Sequence, residues 1–156
     1  MCLNVNGSFV DKLEWKGEGH ESLEECIRKF DCSFFSETWT NQYSCVEING
    51  YVVFRKERVR REGAKRDSGG LVCYFRESFA KGVSEIEWNN EDGMCFKLDK
   101  DYFGWGEHVF LLCVYMKPKD STREAINPGV NCYDVLTDMI VRVSDLGAVI
   151  VWGDTK

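Results

Sequence analysis

Ala148 to Asp154 reads A-V-I-V-W-G-D, an apolar run that closes on a carboxylate. A continuous β-branched run bounded by glycines predicts a buried strand, because a half-exposed strand alternates apolar with polar residues. An Asp at the C-terminal edge of such a strand stands where α/β folds keep their chemistry. The arrangement recurs in D-C-S-F-F-S-E-T-W, where Phe34 and Phe35 belong to a short buried strand and Glu37 stands at its end with Thr38 and Trp39. It occurs a third time in C-L-N-V-N-G, where Asn4 and Asn6 surround a strand end closed by Gly7. Three strand ends carrying oxygen-bearing side chains predict one site.

A chain of 156 residues suits one domain and can bury about 70% of its unfolded surface. Its hydrophobic share of 44% with only two prolines places it among globular chains rather than disordered or fibrous ones. The longest apolar stretches are strand-length, and no basic region leads into a long hydrophobic segment. Neither a signal peptide nor a membrane span is expected, so the reading is an intracellular protein, nuclear or cytoplasmic.

Eight cysteines raise the question of disulfides or zinc, yet no C-x-x-C occurs and metal-ligand spacing is absent. Cys73, Cys95 and Cys113 fall within apolar strand patterns, where a thiol acts as a small hydrophobe, and reduced core cysteines fit an intracellular protein. The net charge of −6 argues against a nucleic-acid coat. Locally, Arg55 to Arg66 reads R-K-E-R-V-R-R-E-G-A-K-R, which is either a DNA-facing loop or a solvated connection between strands.

Helical periodicity places Leu23, Cys26, Ile27 and Phe30 on one face, with Ser22 and Glu25 spaced as a capping box. Strands are expected at 32–36, 51–55, 69–75, 83–88, 94–98 and 109–116, separated mostly by turn residues. N-P-G at Asn127 to Gly129 precedes a helix in which Tyr133, Leu136, Ile140 and Val143 share a face, with Gly147 ending it. This alternation predicts an α/β fold of mixed sheets with helices outside.

N-V-N-G at Asn4, S-E-T-W at Ser36, S-G-G-L-V-C-Y at Ser68, V-Y-M-K-P at Val114 and W-G-D at Trp152 resemble, in order and spacing, the endonuclease/exonuclease/phosphatase superfamily. The resemblance spans the whole chain. Within the superfamily the motifs look most like the apurinic-type endonuclease domain of non-long-terminal-repeat retrotransposons. It implies a four-layered α/β sandwich, of which residues 1–156 form the N-terminal portion of one partial domain.

Carried over by position, the resemblance implies that Glu37 binds Mg2+ with Asn4 beside it, Mn2+ being able to substitute, and that Asn6 is accessory. It implies that Asp154 orients or deprotonates the attacking water and that Tyr115 contacts the scissile phosphate. Mg2+ suits such a site because it takes oxygen ligands, keeps several waters and is held by one or two carboxylates. The implied reaction is phosphodiester hydrolysis, with DNA as the partner, no membrane, and a reverse transcriptase on a full-length parent.

The chain departs from the superfamily pattern in two ways. An Asn two residues after the catalytic Asp is replaced in G-D-T-K by Lys156. The second half, with its terminal Asp-His pair, is absent, and His20 and His108 are expected on the surface. An incomplete sandwich leaves strand edges open, so self-association and poor solubility are expected. Two function classes follow: a truncated Mg2+-dependent DNA-nicking endonuclease whose activity in this form is open, or a noncatalytic relic or interaction fragment derived from one.

Overall fold

Cys2–Asn4 forms β1 and Cys32–Ser36 forms β2, running parallel with Asn4 opposite Ser36. The computed structural model describes residues 1–14, 21–57, 69–116 and 131–154. The chain divides into two units, Met1–Lys81 and Gly82–Lys156.

In the first unit, Tyr51–Lys56 (β3) and Leu71–Arg76 (β4) complete a four-stranded sheet of order β1-β2-β4-β3, antiparallel after the first pair. Side chains alternate across a strand, so Phe35, Val72 and Tyr74 share one face. That face meets Phe9 and Leu13 of helix α1 (Phe9–Glu14) and Ile27 of α2 (Leu23–Ile27). Phe9 and Phe35 pack with ring centroids 5.1 Å apart, and Phe35 stands edge-on to Tyr74 at 6.1 Å. Tyr74 is wholly buried and donates its hydroxyl to the Val46 carbonyl at 2.6 Å. Phe34, Cys73 and Phe75, on the opposite face, are buried as well.

The capping box at the start of α2 is present: Glu25 N–H donates to Ser22 Oγ at 3.2 Å and Ser22 N–H to Glu25 Oε2 at 2.9 Å. The helix is shorter than its periodicity suggested and Phe30 is exposed. The reason lies in tertiary contacts. The Tyr51 hydroxyl reaches the Ile27 and Phe30 carbonyls, and Arg76 donates to the Arg28 carbonyl, satisfying the helix end where it stops. Helix α1 was not expected, since six residues are too few for a periodicity to declare itself.

After the short helix α3 (Glu77–Ala80), the second unit holds β5 (Val83–Ile86), β6 (Gly93–Leu98), helix α4 (Lys100–Phe103), β7 (His108–Tyr115), helix α5 (Cys132–Ser144) and β8 (Gly147–Asp154). Its sheet has the order β5-β6-β7-β8, antiparallel except for β7 and β8, which α5 separates in sequence and which run parallel. Phe110, Leu112 and Val114 of β7 pack with Met139 and Val143 of α5. Leu136 and Ile140 join that face as expected, but Tyr133 at the helix start is exposed.

Three further expectations are corrected in this unit. Strand β8 is not buried throughout: among the described residues it is the sheet's edge, and Ile150 and Val151 are 51% and 43% exposed. Gly147 does not end α5, which stops at Ser144; it opens β8 opposite His108, where a Cβ would overlap the His108 carbonyl. His108 is half-buried rather than superficial, and its Nδ1 accepts from the Lys100 N–H at 3.0 Å. Cys73, Cys95 and Cys113 are buried, and all eight cysteines are unbridged. His20, the basic residues from Arg58 to Arg66 and the N-P-G turn lie outside the described residues. No helix among those described is long and apolar enough to cross a membrane.

Candidate metal centre

Two loops follow the parallel strands β1 and β2, and they share an unusual backbone. Asn6 (φ 49°), Ser8 (φ 54°), Glu37 (φ 55°) and Trp39 (φ 53°) are the positive-φ non-glycine residues among those described, and all four lie here. The left-handed region costs a residue bearing a Cβ about 1–2 kcal/mol. Such strain persists only where surrounding contacts fix it, and it gathers at functional sites.

The fixing contacts are present. Gly7 N–H donates to the Glu37 carbonyl at 2.6 Å, Val5 N–H to the Ser36 carbonyl at 3.0 Å, and Trp39 N–H to the Gly69 carbonyl at 2.8 Å. Lys12 of α1 donates its ammonium to the carbonyls of Val5 and Gly7, holding the first loop from beneath. Gly7 is required there: it has φ 79°, and a Cβ on it would overlap the Trp39 ring. Thr38 and Thr40, both buried, pair their hydroxyls at 3.1 Å.

The Glu37 carboxylate projects from this frame, half-buried. Its Oε2 accepts two hydrogen bonds, from Trp39 Nε1–H at 2.9 Å and from Gly69 N–H at 3.1 Å. Its Oε1 has no hydrogen-bond partner among the described residues. A carboxylate so held has one oxygen fixed by protein donors and one left for an external electropositive group. Asn4, one register step back on β1, accepts the Asn6 N–H on its Oδ1 at 3.0 Å in a local turn. Asn6 enters through its backbone N–H and left-handed φ, which shape the turn.

These oxygen donors fit a hard cation that retains much of its hydration, as Mg2+ does. Among the described residues no three His, Cys, Asp or Glu side chains converge as ligands, so a thiolate or imidazole cage of the zinc kind is not formed by them.

In the second unit, Tyr115 and Asp154 are register partners at the C-terminal end of the parallel β7/β8 pair. Tyr115 N–H donates to the Asp92 carbonyl at 2.8 Å, fixing that strand end. Gly153, before Asp154, lies opposite Val114, where a Cβ would overlap the Val114 carbonyl. The W-G-D sequence therefore has a local steric reason for its glycine. Each unit thus carries its candidate residues where a parallel strand pair ends. Arg55, from the basic run, is engaged with the Ser44 carbonyl at 3.0 Å and with Glu57 at 3.4 Å.

Trp39, Gly7, Gly69 and Lys12 were not singled out as functional from the sequence. Trp39 in S-E-T-W was the available signal, but its partner Gly69 lies 32 residues from Glu37 and is unreadable from spacing.

No protein-family model and no curated protein sequence matches the chain. The fold is similar to the crystal structure of the APE2 catalytic domain from Xenopus laevis, with a TM-score of 0.65 and 15% sequence identity. The similarity covers 98% of this chain and 56% of that one, so the chain spans a little over half the length of that domain. The expected α/β fold with two sheets and helices is borne out.

Proposed function

We propose that this chain carries the metal-holding portion of a Mg2+-dependent phosphodiester hydrolase, specifically a DNA-nicking endonuclease of the retrotransposon type. The carrying observation is the Glu37 carboxylate, pinned through one oxygen at the end of β2 in a strained loop frame, within a fold similar to that of APE2. The retrotransposon assignment rests on the motif resemblance of S-E-T-W, S-G-G-L and V-Y-M-K-P. With it come DNA as the substrate, a reverse transcriptase on a longer parent, and a nuclear or cytoplasmic location.

Glu37, with Asn4, would hold the ion, and Mn2+ would serve in its place. When bound, such an ion supplies stabilisation of the charge that grows on phosphate oxygens. The chain's own residues do the remaining work in this reading. Asp154 orients a water and takes its proton, and Tyr115 donates its phenol O–H to a phosphate oxygen, the two residues being register partners on adjacent strands. Asn6 shapes the turn that presents Asn4.

A second reading, a noncatalytic interaction fragment, is favoured by one observation, the exposed apolar edge of β8 at Ile150 and Val151. Nicking of supercoiled plasmid separates the two. The hydrolase reading expects relaxed circles with Mg2+, none with chelator, and loss of nicking in Glu37→Ala and Asp154→Asn. Absence of nicking by a folded chain with Mg2+ or Mn2+ would favour the fragment, and nicking that survives Glu37→Ala would contradict the assignment.

A further inference from the structure

We propose that Trp39 is a positioning residue for the metal-holding carboxylate: its indole N–H fixes Oε2 of Glu37 so that Oε1 is the oxygen offered to the cation. The inference rests on the hydrolase reading and adds a residue and a division of labour between the two carboxylate oxygens.

The geometry is specific. An indole is a donor only, and Nε1 lies 2.9 Å from Oε2, the distance of a charge-assisted hydrogen bond. The same oxygen takes the Gly69 N–H at 3.1 Å, so it carries two donors while Oε1 carries none among the described residues. The ring is pinned in turn. Trp39 N–H is tied to the Gly69 carbonyl at 2.8 Å, its backbone is left-handed, and its ring lies on Gly7 where no side chain would fit. Gly7 N–H is bonded to the carbonyl of Glu37 itself. The loop of Asn6–Ser8, the loop of Glu37–Trp39 and Gly69 thus close around one carboxylate and orient it.

A ring that merely filled space would need no donor at this position. Phenylalanine would keep an aromatic ring at this position and lose the donor. What tryptophan adds is the N–H, and it is aimed at the carboxylate. Removing a group that orients a ligand in this way lowers metal affinity about 10–100-fold in metalloproteins.

The test is a Mg2+ titration of the 15N-labelled chain, followed by NMR in wild type, Glu37→Gln and Trp39→Phe. The proposal expects saturable shifts around Glu37 in wild type, their loss in Glu37→Gln, and an apparent Kd about tenfold weaker in Trp39→Phe. Wild-type affinity in Trp39→Phe, with Glu37→Gln silent, would overturn the role of Trp39 and leave the metal site standing. Absence of saturable shifts in wild type, or the same shifts in Glu37→Gln, would overturn the metal site and this proposal with it. Should Trp39→Phe not fold, the assigned Trp39 indole N–H resonance decides: the proposal requires it to move on Mg2+ binding and in Glu37→Gln. A resonance that moves in neither case overturns it.

Discussion

Tyr115 stands opposite Asp154 in the register of the parallel β7/β8 pair, one strand end from each side of the α5 crossover. Sheet pairing, rather than loop conformation, sets the backbone positions of these two residues relative to each other. Asp154→Asn in an active form is expected to lower kcat at least 100-fold while leaving the apparent Mg2+ affinity near wild type, because it removes a base and keeps an oxygen. Tyr115→Phe is expected to lower kcat about tenfold. Kinetics across a Mg2+ series check both, and equal loss of turnover and metal affinity in Asp154→Asn would make Asp154 a ligand instead.

Tyr74→Phe is expected to destabilise the chain by about 1–3 kcal/mol, since the buried Val46 carbonyl then has no donor at 2.6 Å. Urea unfolding of the two proteins measures this directly. A change below about 0.5 kcal/mol would mean that water reaches the carbonyl.

Stability is expected to fall on the alkaline side. Burial pushes the Cys95 thiol from its ordinary 9.0 up to about 12, with neighbouring Cys113 adding to the shift, and burial raises the Tyr74 phenol in the same direction. Both groups favour the neutral form when folded. Their contribution is therefore complete below pH 9 and is lost as pH rises from there toward 12, while the unfolded chain ionises. A Tm series from pH 7 to 11 in reductant should decline above pH 9, and Cys95→Ala should flatten its onset.

The edge strand β8 exposes Ile150 and Val151, and an exposed apolar edge invites strand pairing with another copy. Ile150→Lys and Val151→Lys are expected to raise the concentration at which the chain self-associates with little loss of Tm, since the side chains are already 51% and 43% exposed. Analytical ultracentrifugation across a concentration series checks this, and unchanged association in both variants would place the sticky surface elsewhere.

Much of this architecture was legible because it follows local rules. Phe34 and Phe35 declared a buried strand, Ser22 with Glu25 declared a helix start, and Asn4, Glu37 and Asp154 fell at strand ends as their sequence contexts implied. What was not legible depends on contacts distant in sequence. The apolar run of β8 does not say that, among the described residues, it pairs on one side only, α2 stops where Tyr51 and Arg76 take its carbonyls, and α1 is too short to show a period. The support of Glu37 depends on left-handed backbone at Glu37 and Trp39, which residues bearing a Cβ rarely adopt, and on Gly69 arriving from the segment that leads into β4.

The central claim is that Glu37 is the carboxylate that holds a divalent cation, and Mn2+ binding followed by electron paramagnetic resonance tests it whether or not the chain turns over substrate. Glu37→Gln is the informative variant: the Gln oxygen can still accept from Trp39 and Gly69, so the fold should hold, whereas Glu37→Ala leaves both donors without an acceptor. The account predicts one site in wild type, displaced by Mg2+, and at least tenfold weaker binding in a Glu37→Gln chain of unchanged Tm. Equal binding by the two folded proteins, or no Mg2+-displaceable site in wild type, would contradict it.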